Sequence, residues 1–253
     1  MVNVLLSGCN GRMGQAVVRQ AAEAGMKIVA GYDMNAVKLN DFPVYNNFDS
    51  VAEAADVVVD FSHISATPAV LRYCRAKKLP LVLCTTGIKD ELEAKVLETA
   101  KDIPVFKSFN MSLGISLLQA LVRQAAKVLG DTYDIEIIEK HHNQKLDAPS
   151  GTALMIADAA ASCLNFKAEY VYDRTKEHKK RDHKEIGIHA IRGGTIVGEH
   201  EAMFIGPNEI ITISHSAQSR ELFANGAIKA AAFILDKKPG VYNMDDLVSS
   251  LSR

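Results

Sequence analysis

The sequence predicts an α/β protein: an N-terminal, doubly wound parallel sheet plus an α+β domain built on a mixed sheet. Three observations carry this. Over the first hundred or so residues, short runs rich in Val, Ile and Leu alternate with segments of helical periodicity. A glycine-rich turn follows the first of those runs. After Asn110 a long helical segment gives way to strand-like runs separated by Gly or Asn turns, with no helices between the later ones.

The strand-like runs of the first half are "VNVLLSG", "KIVAGYD", "DVVVDFS", "PLVLCTTG" and "IPVFKSFN". Between them "GQAVVRQAAEAG", "TPAVLRYCRAKK" and "KDELEAKVLETAKD" repeat their apolar residues at helical spacing. Continuous apolar runs alternating with amphipathic helices indicate βαβ units and a buried parallel sheet. Right-handed crossovers then give a Rossmann-like layer. In the second half the long helix "SLGISLLQALVRQAAKVLG" leads into "YDIEIIEKH", a short helix after Ser150 and the polar stretch "DRTKEHKKRDHKE". The runs "IGIHAIRGG", "TIVGEHEAMFIG" and "NEIITISHSA" follow as successive strands, which indicates an antiparallel or mixed sheet. The Ala-rich helix "RELFANGAIKAAAFILD" is expected to return to the first domain. The expected domains are therefore residues 1–112 with 219–253, which bind a dinucleotide, and residues 113–218, which bind the substrate.

A chain of 253 residues suffices for one large domain or two moderate ones. With 48% hydrophobic residues, 23% charged residues and a formal net charge of −1, nothing global points to nucleic acid or to an anionic membrane. The basic run "EHKKRDHK" has no interleaved aromatics and is diluted by Glu and Asp, so it reads as a solvated loop, one able to fold over an active site. The four cysteines lie far apart with no C-x-x-C pair, which indicates a reducing compartment. The N-terminus reaches glycines too soon for a signal peptide, and no apolar run is long enough to span a bilayer, so a cytoplasmic location is expected.

Gly8, Gly11 and Gly14 stand between the first strand and the first helix. Such a turn lets backbone N–H groups approach a pyrophosphate, whose charge the helix dipole favours. Asp33, nineteen residues after Gly14, is placed to accept hydrogen bonds from adenosine ribose hydroxyls. A carboxylate there repels a 2′-phosphate and Met34 offers no guanidinium, which favours NADH. Arg12 and Lys38 can still neutralise a phosphate, so NADPH stays open. The loops "CTTG" (Cys84 to Gly87) and "SFNMS" (Ser108 to Ser112) fall at the C-terminal ends of two strands, where open α/β sheets bind ligands. Their Thr, Asn and Ser side chains suit either a nicotinamide ribose or simple helix caps.

The segment "EIIEKHHNQKLDAPSGTAL" places His141, His142 and Lys145 before the helix start Ser150-Gly151-Thr152. Neighbours on a strand point to opposite sides, so only one imidazole enters a given cleft unless the strand has turned. Imidazole, amine and free helix-end N–H groups together suit a small dianionic substrate that needs a proton during reduction. Zinc is disfavoured, since no third ligand lies at metal spacing and H-H-x-x-K differs from H-E-x-x-H. "IRGGTIVGEH" reads as a hairpin turn, with Arg192 able to reach a substrate carboxylate.

The stretch "EKHHNQKLDAPSGTA", with "GCNGRMG", "CTTG", "FNMSLG", "RGGTIVGEH" and "FANGA", resembles the 4-hydroxy-tetrahydrodipicolinate (dihydrodipicolinate) reductase family along the whole chain. The resemblance implies an NADH- or NADPH-dependent oxidoreductase of the diaminopimelate route to lysine, assembled as a homotetramer through the sheet of the second domain. It implies His141 as proton donor and acceptor, Lys145 as second catalytic residue, and His142, Gly151 and Thr152 as substrate-binding. It implies cofactor contacts from Gly8, Cys9, Asn10, Gly11, Arg12, Met13, Asp33, Cys84, Thr85, Thr86, Ser108, Phe109, Asn110 and Met111, and no metal. Closure about the connections near Ser112 and Ser219 is expected. Cys84 replaces a frequent Gly, tolerable unless the backbone needs positive φ, and Met34 replaces an arginine of some members. A dehydrogenase of another small acid, or a non-catalytic dinucleotide sensor, would keep the glycine loop without needing the His-His-x-x-Lys cluster.

Overall fold

The computed structural model describes residues 1–175 and 177–251; Lys176 of the polar stretch and the terminal Ser252 and Arg253 lie outside the described residues. The chain forms two compact units, Met1–Leu113 with Arg220–Arg253, and Gly114–Ser219.

The first unit opens with β1 (Val2–Ser7), α1 (Arg12–Ala21), β2 (Met26–Tyr32), β3 (Val44–Tyr45), β4 (Val57–Asp60), α2 (Thr67–Lys77), β5 (Leu81–Leu83), α3 (Asp90–Thr99) and β6 (Pro104–Lys107). The second unit follows with α4 (Leu113–Leu129), β7 (Asp134–His141), α5 (Gly151–Ala161), β8 (Glu169–Val171), β9 (Glu185–Arg192), β10 (Gly198–Ile205) and β11 (Ile210–Ala217). The chain then returns through α6 (Glu221–Ile234), β12 (Gly240–Tyr242) and α7 (Met244–Leu251).

The sheet of the first unit is wholly parallel, in the order β12-β6-β5-β4-β1-β2-β3. The order reverses between β1 and β4, and ligands of open α/β sheets bind at the carboxyl ends of the strands at such a point. Successive residues of each strand face opposite sides. Val4, Leu6, Val57 and Val59 pack under α1, α6 and α7, while Leu5, Val58, Leu81 and Val105 pack under α2 and α3. The small side chains Ala224, Ala227, Ala230 and Ala231 bring α6 close to the sheet. Strands β3, β8 and β12 and helix α7 were not expected from the pattern.

The second unit carries a mixed sheet in the order β11-β10-β7-β9-β8. Strand β7 runs parallel to β9 and antiparallel to β10. Along β7 burial alternates, so Ile135, Ile137, Glu139 and His141 face the covered side while Glu136, Ile138 and Lys140 face away. Helices α4 and α5 cover that side through Leu118, Val122, Ala153, Ile156 and Ala160.

Two expectations are corrected here. The segment Ile191 to His200 is no hairpin turn: β9 and β10 flank β7 instead of pairing, so their connection passes over the end of β7. Gly193 N–H donates to His141 C=O at 2.9 Å and Asn143 N–H to Gly194 C=O at 3.2 Å, which pins the crossing to the His-His segment. Nor is the basic stretch merely solvated. Arg181 donates to Glu136 at 3.0 Å, Asp134 at 2.7 Å and three backbone carbonyls, and Arg174 bonds Glu136 and the buried Glu185. Those carboxylates stand at the start of β7 and β9, about 17 Å of strand from His141. Among the described residues no helix is long and apolar enough to cross a membrane.

Candidate active site

In the first unit the turn after β1 is built by two glycines for separate reasons. Gly8 has φ +77°, in the left-handed region, and a Cβ there would meet Phe61 O at 2.6 Å, so the β1 and β4 ends touch. A Cβ on Gly14 would lie 2.2 Å from Gly8 O and 2.6 Å from Cys9 O; helix α1 therefore starts directly against the turn. Gly8 and Cys9 N–H both donate to Tyr32 C=O, at 2.8 and 3.3 Å, and Gly11 N–H to Gly8 C=O at 3.1 Å. The first-turn N–H groups of α1 at Arg12 and Met13, in contrast, have no acceptor within the helix. Arg12 is exposed.

Asp33 lies immediately past β2, with Asn10 N–H on one oxygen at 3.0 Å and Asn35 N–H on the other at 3.1 Å. The Asn10 amide also donates to Asn35 C=O at 2.7 Å and Val37 C=O at 2.9 Å, tying the loop after β2 to the glycine turn. A cleft of about 170 Å³ opens there between Gly8, Gly11, Asp33, Met34, Ser62 and His63. A second, of about 290 Å³, is lined by Met13, Phe61, Ser62, Cys84, Thr85, Thr86, Phe109, Met111 and Phe223. The two together offer a polar, acid-bearing end and an apolar end, which matches a dinucleotide in chemistry.

The loops that frame the second cleft are held from below. Asp60, fully buried at the end of β4, accepts from Thr85 Oγ at 2.6 Å and from Ser62 Oγ at 2.6 Å. The Thr85 hydroxyl is therefore committed to the protein, whereas Thr86 is exposed. Ser108 Oγ donates to Asn110 C=O at 2.8 Å, and Asn110 Oδ1 accepts from Ser112 N–H at 2.9 Å, which closes that loop on itself. Cys84 is not among the residues with positive φ, so the thiol is carried without backbone strain. Burial and the neighbouring Asp60 raise the Cys84 thiol well above its ordinary value, and burial with Asp33 pushes Cys9 up to about 12. Neither is poised as a nucleophile.

In the second unit His141 ends β7 on the covered face, 9% exposed, and His142 lies just past the strand. His141 Nδ1 is 2.6 Å from Oε2 of Glu139, a residue with no exposed surface. Glu139 also accepts from Arg192 at 2.8 and 2.6 Å and from Ser150 N–H at 2.9 Å. Burial pushes the Glu139 carboxyl up, but the hydrogen bonds from Arg192, His141 and Ser150 outweigh it and leave the group below its ordinary value. An ionised carboxylate only accepts, so Nδ1 of His141 carries the proton and Nε2 is the nitrogen left as an acceptor. Arg192 is thus committed to Glu139, not free for a substrate carboxylate as the sequence suggested.

Ser150 caps α5, its Oγ accepting from Ala153 N–H at 3.1 Å and lying 3.1 Å from His200 Nε2. A Cβ on Gly151 would meet nothing within 4 Å, so open space faces the helix start. Lys145 bonds Asp147 at 2.9 Å; that ammonium holds the Asp147 carboxyl below its ordinary value, and the N–H groups of Asp147 and Gly151 add to the effect. The His200 ring stands edge-on to His141 with centroids 5.2 Å apart, and burial lowers its pKa to about 4. Among the described residues no group of three or more His, Cys, Asp or Glu is arranged to hold a metal.

His141, His142, Lys145, Gly151 and Thr152 thus fall in one unit, at one end of β7 and at the start of α5. The residues of the glycine turn, Asp33, the Cys84–Thr86 loop and the Ser108–Met111 loop fall in the other. Sequence reasoning missed Glu139, His200, Asp60 and Asp147. Strand alternation was a usable signal for Glu139, two residues before His141 and hence on the same face.

Residues 2–111 match the family described as dihydrodipicolinate reductase, N-terminus, and residues 114–248 the one described as dihydrodipicolinate reductase, C-terminus. The chain is 55% identical over 249 residues to a 4-hydroxy-tetrahydrodipicolinate reductase of Caldanaerobacter subterraneus subsp. tengcongensis, covering 98% of each. It is 50% identical over 251 residues to one of Clostridium tetani, covering 99% of this chain and 98% of that one. Among solved structures it is similar to a dipicolinate-bound dihydrodipicolinate reductase from Paenisporosarcina sp. TG-14, at TM-score 0.83 and 26% identity over 97% of this chain and 99% of that one. With both family halves matched in order along one chain, the protein belongs to the dihydrodipicolinate reductase family.

Proposed function

We propose that this chain reduces 4-hydroxy-tetrahydrodipicolinate to tetrahydrodipicolinate with NAD(P)H, in the diaminopimelate route to lysine. One observation carries the reading: an imidazole with a defined free nitrogen, an ammonium and an open helix N-terminus lie together at one end of β7. The similar enzyme from Paenisporosarcina binds dipicolinate, a dicarboxylate. Gly151 and Thr152 at the α5 start would take one carboxylate, with His142 and Lys145 as further contacts. Asp147 now holds Lys145, and a substrate carboxylate would compete for the same ammonium.

The nicotinamide would supply a hydride when bound. The chain's own part is to take up a proton from solvent on His141 Nε2 while Glu139 holds the Nδ1–H, to pass that proton to the reduced ring, and to offset negative charge through Lys145. The first turn of α1 from Gly11 to Met13 would hold the pyrophosphate, with Gly8, Cys9 and Asn10 shaping the turn. Asp33 would accept from the ribose. The loops Cys84–Thr86 and Ser108–Met111 would border the nicotinamide cleft. Asp33 with Met34 favours NADH over NADPH. The face of the second sheet opposite α4 and α5, which carries Ile138, Met203 and Ile205 among charged residues, would form the homotetramer.

The test is NADH and NADPH oxidation with substrate made in situ from pyruvate and aspartate semialdehyde by the preceding synthase. Turnover lost in His141→Ala and Lys145→Ala, with NADH binding retained, supports the reading. A folded wild type that binds NADH and leaves this substrate untouched sinks it.

A further inference from the structure

Every acceptor position on Glu139 is filled. Oε2 takes Nδ1 of His141 at 2.6 Å and one Arg192 nitrogen at 2.8 Å; Oε1 takes Ser150 N–H at 2.9 Å and the other Arg192 nitrogen at 2.6 Å. A carboxylate offers about four lone-pair sites, so this side chain has no freedom left to rotate. Its bonds reach three different parts of the unit: the strand carrying the imidazole, the start of α5, and β9. The bidentate guanidinium fills two of those sites, and a buried carboxylate needs the remaining ones met as well. Here the carboxylate spends half of its capacity on groups that belong to the reaction site.

We propose that Glu139, gripped by Arg192, is the positioning residue that keeps the His141 proton on Nδ1 and sets the α5 N-terminus at a fixed distance from Nε2. The inference rests on the reading of His141 as the proton donor. Three arrangements enforce the same geometry. The Ser150 hydroxyl joins α5 to His200 at 3.1 Å, and His200 in turn stands edge-on to the His141 ring. Gly198 leaves the other side of the ring just enough room, since a Cβ there would lie 3.0 Å from Nε2. The crossing loop holds the His141 backbone through Gly193 N–H at 2.9 Å. An acceptor-only group on Nδ1 leaves a single nitrogen to exchange protons with a substrate, and the helix end that would hold a carboxylate is tied to the same acceptor.

The experiment compares the wild-type chain with Glu139→Gln, the double variant Glu139→Gln/Arg192→Met and His141→Ala. Circular dichroism is the check on folding. For each, kcat and the substrate KM are measured separately at saturating NADH, and ¹⁵N NMR of labelled histidine reads the His141 tautomer. A glutamine keeps an acceptor for Ser150 and Arg192 but presents an amide N–H₂ to Nδ1, which moves the neutral ring's proton to Nε2 and bars the doubly protonated imidazolium that would act as the acid. The expected result is a kcat lower by about 100-fold or more, a KM changed only a few-fold, and a tautomer switched from Nδ1–H to Nε2–H. The double variant removes the buried charge pair together, so it keeps the chain folded and retains the kcat loss. The proposal is overturned if either variant keeps kcat within a few-fold of wild type, or if the Nδ1–H tautomer persists without Glu139. Full turnover in His141→Ala overturns the proton-donor reading itself, an outcome separable from failure at Glu139.

Discussion

His200 faces the covered side of β10, directly across from Glu139 on β7 and His215 on β11. Burial lowers it from an ordinary 6.5 to about 4, and burial lowers His215 as well. The folded chain therefore prefers the neutral ring while the unfolded chain binds a proton more readily. That stabilisation is complete above about pH 6.5 and is lost as pH falls towards 4, worth about 3 kcal/mol in all. Thermal melts between pH 7 and 4 should show this slope, and His200→Gln should flatten it; an unchanged slope in the variant would refute the assignment. Glu136 and Glu139, also held below their ordinary value, add a separate loss at lower pH. Gly14→Ala should cost several kcal/mol and abolish dinucleotide binding, because the atoms a methyl meets are backbone carbonyls that cannot move aside; retained binding by titration would count against it. At this scale the sequence singles out His141, Lys145 and Asp33 by residue type alone. It was silent where a common residue acquires its role from its neighbours. Nothing in the letter at position 139 tells that a guanidinium 53 residues later will grip it.

Strand β7 is the element on which the second unit turns, since it lies between β10 and β9 and carries a different network at each end. At its start Arg181, mostly buried, gathers Asp134, Glu136 and three carbonyls. Arg181→Met should destabilise the unit by about 2 to 4 kcal/mol, since Glu136 is left with Arg174 and His189 alone and the backbone carbonyls lose their donor. It should also open residues 172–184 to limited proteolysis while kcat stays near wild type, because the site lies at the other end of the strand. A large fall in kcat with no change in proteolysis would contradict that separation. The longer elements were legible from their apolar periods. The two- and three-residue strands β3, β8 and β12 were not, because a run so short carries no period to detect. The β9–β10 segment misled for another reason: a glycine turn between two strands looks the same whether the strands pair or straddle a third.

The two units have separate cores, one sheet with apolar layers on both faces and another covered on one. A ligand that binds only one of them should stabilise that one. With NADH at about one hundred times Kd, the first unit should gain about 2.7 kcal/mol. Hydrogen exchange should slow in β1, β2 and β4 to β6 and hardly change in β7, β9 and β10; slowing confined to the second sheet would refute the placement of the dinucleotide. The whole-chain architecture followed from the alternating pattern and the change of pattern after Asn110. The return of the last long helix to the first core was legible in its Ala-rich face, whereas the short strand β12 that joins the sheet after it was not.

That route has a consequence for how the molecule is made. Helix α6 and strand β12 belong to the first core, yet they leave the ribosome only after residues 114–219 have been synthesised. At ordinary elongation rates this takes roughly 5 to 20 s. For that interval the nascent N-terminal sheet has one apolar face, including Val4, Leu6, Val57 and Val59, without the helix that will cover it. The inserted unit can finish folding first, although it is translated second. The interval between Leu113 and Ile234 is when the nascent chain most needs a chaperone.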